Sequence, residues 1–197
     1  MKDLACRTVP SVPSLAALPP PTQALAGALL RVAPTRQLLW CDGSAWLDVS
    51  AEPRLSTARL GSDVSNATTT LAPAGALALA LNPNSTYQVE AQVLFQTAAT
   101  TTGIRLTQTV PTGASVAAQW NTPISLTAST QSFQRAADAG AATAGIDAAN
   151  APTLARASLL VITGATAGNL QIRFASEVAA SGVVIKAGSN LVAIQVA

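Results

Sequence analysis

Histidine is absent from this 197-residue sequence, and aromatic residues are limited to three tryptophans, one tyrosine and three phenylalanines. Without histidine there is no Ser–His or Cys–His nucleophile pair, no imidazole general base near neutral pH and no imidazole zinc ligand. Charge is scarce as well: Asp, Glu, Lys and Arg together make up 10% of the chain, against about a quarter in ordinary soluble domains. The surface must therefore be wetted mainly by Thr, Ser, Gln and Asn, a composition that suits permanent assemblies. Net charge is +2 and no basic cluster exists; Arg54 and Arg59 come nearest, so nucleic-acid binding is not expected.

Long apolar runs are missing too. Hydrophobic residues reach 49% and mean hydropathy is +0.37, yet much of this is alanine. No uninterrupted run reaches the roughly eighteen residues of a membrane span, so membrane insertion is not expected. Asp3, Arg7, Pro10 and Pro13 break any apolar segment near the start, which argues against a secretion signal and for a chain that begins at Met1 in a cytoplasm. Cys6 and Cys41 are the only cysteines. Both read as small apolar residues rather than as a disulfide framework.

Hydrolysis without histidine would need paired carboxylates, and Asp138 and Asp147 are the best placed, in an Ala/Gly-rich loop; Glu90 and Glu177 fall on expected strands. Loop aspartates more commonly shape turns, so the chain reads as a non-enzyme. Asp63, Asp138 and Asp147 lack the Asp-x-Asp-x-Asp spacing of a calcium loop. The run Gly164 to Gly168 lacks the Lys-Ser/Thr that completes a phosphate loop. No metal and no cofactor are expected. Asn66-Ala67-Thr68 and Asn84-Ser85-Thr86 match a glycosylation pattern short enough to arise by chance.

What the chain does have is strands. From Tyr87 to Gln96 the residues Tyr87, Val89, Ala91, Val93 and Phe95 fall on one face and Gln88, Glu90, Gln92 and Gln96 mostly on the other, the period of a half-buried strand. Ile104 and Leu106 repeat the pattern, with Arg105, Thr107 and Thr109 expected to face out. The segment from Thr153 to Val178 reads as two long strands joined at Gly164 to Gly168, where glycine supplies positive-φ tolerance. Its first arm is apolar on both faces between Ser158 and Ile162, as is the terminal run Asn190 to Val196. Shorter strands are expected at Thr68 to Ala72 and Ala76 to Leu81 around a Pro73-Ala74-Gly75 turn, then at Ser115 to Trp120, Ile124 to Ala128, Gln131 to Arg135 and Gly182 to Lys186. From Ala136 to Asn150 the composition predicts a long loop on which little packs. The predicted fold is all-β: an antiparallel jelly-roll sandwich preceded by an extended arm and a small β-hairpin unit.

The arm is the proline-rich stretch from Met1 to about Pro21, whose scattered Val9, Val12, Leu15 and Leu18 could dock on a partner surface. The hairpin unit runs from Gly27 to Val49. Asp42-Gly43 marks its turn, and Trp40 and Trp46 flank it, either as a binding platform or as the packing centre of a unit too small for another core. The mixed polarity of residues 54–66 marks a linker, so the expected division is 1–53 for arm and hairpin, 54–66 for the linker and 67–197 for the jelly roll.

The Asp42-Gly43-Ser44-Ala45-Trp46 run resembles a small DG-x-x-W hairpin module found near the N-termini of tailed-bacteriophage virion proteins. The phrases LNPNSTYQVEAQVLFQTAATTTGIRLTQTVPTG, TLARASLLVITGATAGNLQIRFASEV and VVIKAGSNLVAIQV, in that order, resemble a C-terminal domain recurrent in phage structural proteins. The resemblance implies a jelly roll of the tumour necrosis factor type, commonly a homotrimer, mounted on heads as decoration or head fibre or on tails as fibre tips, with no catalytic motif. The expected function is a virion structural protein assembled in the host bacterial cytoplasm, attached to the major capsid protein or to tail components through Val9, Val12, Leu15, Leu18, Trp40 and Trp46. Leu160, Ile162, Val192, Ile194 and Val196 are the expected trimer contacts. A tail-fibre module recognising a host surface glycan or protein, through residues 136–150 and around Thr100, is the alternative.

Overall fold

A computed structural model of the chain describes residues 9–49, 55–135, 143 and 145–196. Internal contacts divide it into two compact units, Met1–Pro53 and Arg54–Ala197.

The smaller unit is a four-stranded sheet in the order β1-β2-β3-β4, formed by Ser11–Val12, Leu29–Val32, Leu38–Cys41 and Trp46–Asp48. The arm lays β1 parallel to β2 and then makes short 3-10 turns at Leu15–Ala17 and Gln23–Leu25. Its buried apolar residues are Val32, Leu39 and Cys41. A core this small needs local hydrogen bonds to hold its turns.

The larger unit is an antiparallel jelly-roll sandwich. Its strands are β5 (Leu55–Arg59), β6 (Val64–Asn66), β7 (Ala72–Leu81), β8 (Thr86–Thr97), β9 (Ile104–Thr109), β10 (Ser115–Pro123), β11 (Ser129–Gln134), β12 (Thr153–Ile162), β13 (Gly168–Ser176), β14 (Val183–Ile185) and β15 (Asn190–Gln195). An eight-stranded sheet runs β11-β10-β12-β8-β14-β6, with β15 beside both β8 and β5, and faces a three-stranded sheet β7-β13-β9. Strand β8 is the spine. It pairs with β12 from Thr86↔Ile162 to Phe95↔Thr153, and on its other side with β15 over Tyr87 to Gln92 and then with β14 over Phe95 to Thr97. The break between β14 and β15 is bridged at Leu94, whose N–H donates to Ser189 Oγ at 2.9 Å and whose carbonyl accepts from the Lys186 N–H at 2.8 Å.

Alternation fills the space between the sheets. Tyr87, Val89, Ala91, Val93 and Phe95 of β8 and Ala155, Ala157, Leu159 and Val161 of β12 are buried against Leu79, Leu81, Leu106, Leu170, Ile172 and Phe174 of the smaller sheet. The register sets Trp120 beside Ala157, which pairs in turn with Ala91, so small residues neighbour the largest core side chain and keep the layer level. Side-chain hydrogen bonds tie the sheets at the seam, among them Trp120 Nε1 donating to Gln108 Oε1 at 2.9 Å and Gln134 Nε2 donating to the Leu106 carbonyl at 3.0 Å. No buried side-chain polar atom among the described residues lacks a hydrogen-bond partner.

Several local expectations are corrected. Strands β12 and β13 are both present, but they pair in different sheets, so their connection crosses the sandwich instead of turning a hairpin. Neither Gly164 nor Gly168 has positive φ; a Cβ on Gly164 would sit 2.9 Å from the Gly113 carbonyl oxygen, so close approach selects the glycine. Pro73-Ala74-Gly75 is a bulge within the continuous strand β7, where Gln171↔Ala78 shifts to Arg173↔Pro73 and Gly75 takes φ +56. Ile124 to Ala128 is the loop of the β10–β11 hairpin, not a strand. Thr107, expected to face out, is buried and donates to Gln134 Oε1 at 3.0 Å. Residues 54–66, expected as a linker, carry β5 and β6, paired to β15 and β14. Within 136–150 the described part packs well: Ile146 joins the core, and Thr143 is buried, its Oγ1 accepting from the Ile104 N–H at 2.9 Å.

Two outcomes follow for stability. Phe174→Ala removes a fully buried ring and is expected to cost about 3 to 5 kcal/mol in urea unfolding; a loss under about 1 kcal/mol would contradict its place in the core. A Cβ on Gly103 would overlap the Thr143 carbonyl oxygen. Gly103→Ala is therefore expected to cost at least about 2 kcal/mol, read from the same unfolding curves, against less than about 0.5 kcal/mol for Gly182→Ala, where nothing lies within 4 Å.

Candidate functional site

The acidic residues do not converge. Asp138 lies outside the described residues. Asp147 is exposed at a bend, Glu177 is exposed after β13, and Glu90 lies on the outer face of β8, where its carboxylate accepts the Ser158 hydroxyl. Asp63 pairs with the Lys186 ammonium and accepts the Ala187 N–H at 2.8 Å, which together hold its carboxyl below the ordinary value. Among the described residues no three of His, Cys, Asp or Glu gather in a metal-binding arrangement, and no helix is long and apolar enough to cross a membrane. Asn66, within one glycosylation pattern, is occupied: its Nδ2 donates to the Thr70 and Phe174 carbonyls at 3.0 Å each, and its Oδ1 accepts the Thr68 N–H at 2.9 Å.

In the smaller unit the two tryptophans separate. Trp46 is half-buried, and its Nε1 donates to the Pro19 carbonyl at 2.8 Å, so it clamps the arm to the sheet. Trp40 is exposed, and its strand partners Leu29 and Leu47 are exposed with it, giving one apolar row across β2, β3 and β4. Of the arm residues, Val9 and Leu15 are exposed while Val12 and Leu18 are half-buried. Leu29 and Leu47 were not singled out in the sequence; their pairing across Trp40 depends on register. The turn before Trp46 is held by Asp42, whose Oδ1 accepts the Ser44 N–H and the Ala45 N–H at 2.7 Å each and the Ser44 hydroxyl at 2.8 Å, with Gly43 at φ +98.

The outer face of the eight-stranded sheet carries exposed apolar side chains in rows. Cross-strand register places Leu55, Ile194, Gln88, Leu160 and Ala117 in one row and Val196, Thr86, Ile162 and Ser115 in the next. Leu55 is 65% exposed, Val196 54%, Ile162 49%, Leu160 47% and Ile194 37%, although each lies in or beside a regular strand. A third row, Thr57, Val192, Glu90, Ser158, Gln119 and Phe133, is mostly polar, with Val192 and Phe133 its apolar members. All five residues expected as trimer contacts thus lie on this face. Leu55 falls in the expected linker, and Phe133, 73% exposed, is a lone aromatic in the expected strand Gln131 to Arg135, with no sequence pattern to mark it. Beside Leu160 the face dips into a hollow of about 540 Å³ lined by Phe133, Arg135, Gln88, Gln119, Ser158 and Ala117, among others. A second hollow of about 420 Å³ is lined by Asn121, Pro123, Leu154 and Arg156.

No family model matches the chain, and no curated protein matches it in sequence. Solved structures with some likeness include the infectious bursal disease virus VP2 subviral particle, 10% identical over 77% of this chain and 43% of that one, with a TM-score of 0.26. The infectious bursal disease virus Gx strain structure is 13% identical over 77% of this chain and 37% of that one, TM-score 0.23. A mutant VP2 of the same virus, in derived T=1 particles, is 10% identical over 86% of this chain and 44% of that one, TM-score 0.27. The chain spans less than half the length of each. With scores this low the functional reading rests on the chain's own residues.

The Asp42 turn carries a pH signature. The Ser44 backbone N–H first, then the Ala45 N–H and the Ser44 hydroxyl, lower its pKa from the ordinary 3.8. A depressed folded-state value means that the stabilisation is complete above 3.8 and is lost as pH falls through the lower folded-state value. Asp42→Ala is expected to destabilise the smaller unit at neutral pH and to flatten its melting temperature against pH below about 4, relative to wild type. Identical acid slopes in both would contradict the assignment.

Proposed function

We propose that this chain is a non-enzymatic structural protein of a virion, assembled as a homotrimer through the outer face of the eight-stranded sheet. The row Leu55–Ile194–Gln88–Leu160–Ala117 and its neighbour Val196–Thr86–Ile162–Ser115 carry the reading. Leu55, Ile194 and Val196 stand on one side of β8 and Leu160 and Ile162 on the other, with Thr86 and Gln88 between them, and exposed apolar side chains clustered in this way on a regular sheet mark an interaction surface. Six strands from β5 to β11, about 4.8 Å apart, with about six residues each at roughly 3.3 Å, span about 500 Å² before side-chain relief is added. That falls below the roughly 800 Å² per partner of a standard pairwise interface, and in a three-fold ring the face is shared between two neighbours, so side-chain relief and the flanking loops must add to the contact. The low charge of the chain and the phage resemblance of its phrases support the same reading.

The smaller unit is the proposed anchor. Its exposed row Leu29–Trp40–Leu47, with Val9 and Leu15 from the arm, offers apolar contacts to a capsid or tail protein, and three copies on one particle multiply weak contacts through avidity. Decoration or a head fibre is favoured over a tail position because the chain has no long fibrous repeat. The second reading, recognition of a host surface glycan, is favoured by one observation, the hollow beside Phe133 and Leu160.

Sedimentation velocity at micromolar concentration is expected to show a species of three times the 19.8 kDa subunit. Leu160→Asp with Ile194→Asp places charge on the face without touching the core and is expected to shift the population to folded monomer. A wild-type monomer, or a trimer indifferent to the double substitution, would contradict the proposed contact.

A further inference from the structure

We propose that the outer sheet face binds a linear acidic polysaccharide laid along β10 and β12, with Arg135 and Arg156 each holding one carboxylate. This rests on the glycan-recognition reading above and names its ligand class. The two hollows share these strands, and each contains a single charged side chain, Arg135 in one and Arg156 in the other. Neither guanidinium has a salt-bridge or hydrogen-bond partner among the described residues. An unpaired guanidinium presents a planar fork of donors that matches a carboxylate.

The remaining linings suit sugar hydroxyls and ring faces. Gln88 and Gln119 in the larger hollow and Asn121 in the smaller carry side-chain amides with no partner among the described residues. Phe133 presents an exposed ring at the margin of the larger hollow, an apolar platform for the C–H face of a pyranose. The larger hollow, about 540 Å³, has the size of an ordinary ligand site. Arg135, one residue past the Gln134↔Ala118 pair, lies level with Leu160 but two strands away, and Leu160 is four positions from Arg156 on β12, so the two backbone positions stand about 16 Å apart, a diagonal that a short run of pyranose rings spans. Two cations are too few for a nucleic acid, whose binding depends on neutralising many phosphates. The nearby carboxylate Glu90 keeps its charge while accepting the Ser158 hydroxyl, and it stands on β8, to the side of the β10–β12 track that the chain would follow. Gln88, Leu160 and Ala117 line the larger hollow and also belong to the proposed trimer stripe, so the part left open beside that contact is the side toward β11, lined by Gln119, Phe133 and Arg135.

Calorimetric titration of the full chain with a galacturonate hexamer, with maltohexaose and hexaglutamate as controls, tests the assignment. The uronate is expected to bind saturably, and maltohexaose and hexaglutamate at least about 10-fold more weakly. Arg135→Gln and Arg156→Gln are each expected to weaken uronate binding about 10-fold. Phe133→Ala, which changes no charge, is expected to weaken it about as much, with melting temperatures unchanged in all three. Absence of saturable binding overturns the inference, as does equal binding of hexaglutamate or insensitivity to Phe133→Ala, which would mark simple charge attraction. Sedimentation of the same samples separates the two proposals: a trimer that binds no uronate overturns only this one, and a monomer that binds it overturns only the assembly.

Discussion

Everything in the larger unit depends on the register between β8 and β12. Ten consecutive residue pairs, Thr86↔Ile162 through Phe95↔Thr153, fix which side chains enter the core and which face out. A slip of one residue would turn Tyr87, Val89 and Phe95 outward and bury Gln88, Glu90 and Gln92. The buried set makes that slip prohibitive, since several large apolar groups would be exposed and polar groups left without partners. The same register lines up Leu160 with Gln88 and Ile162 with Thr86, so the core specifies the outer surface at no separate cost.

This explains why the outer face was partly legible in the sequence. The alternation of β8 is visible residue by residue, and the two-sided apolar character of Leu160, Ile162, Ile194 and Val196 can be read without knowing strand order. Partners cannot. Strands β12 and β13 adjoin in sequence yet belong to opposite sheets, and no local periodicity records a crossing between layers. Pro73-Ala74-Gly75 has a turn composition, but long-range pairing of β7 with β13 absorbs it as a bulge. Strand β5 is short and mixed in polarity and becomes a strand only through pairing with β15. Ile146 stands alone in an Ala/Gly run, a single apolar residue with no pattern to reveal its burial. The hollow beside Phe133 joins side chains from β8, β10, β11 and β12 and exists only after folding.

Scarcity of charge links these observations to function. Glutamine, threonine and serine keep the outer strands nearly free of charge, and a sheet face of amides and aliphatic side chains can be covered by another protein surface at less desolvation cost than a charged one. Within the smaller unit, Trp46 and Asp42 hold arm and hairpin together, which leaves Trp40 with Leu29 and Leu47 free to meet a partner. A rigid turn and a tethered arm limit the entropy lost when such a row docks.

Hydroxyl-radical footprinting of the wild-type chain at micromolar concentration, read by mass spectrometry, tests the covered face most directly. The account predicts that Leu160, Ile162 and Ile194 are shielded while Leu126, 94% exposed on the β10–β11 loop, is oxidised freely. Oxidation of all four in proportion to their exposure in the single chain would contradict it.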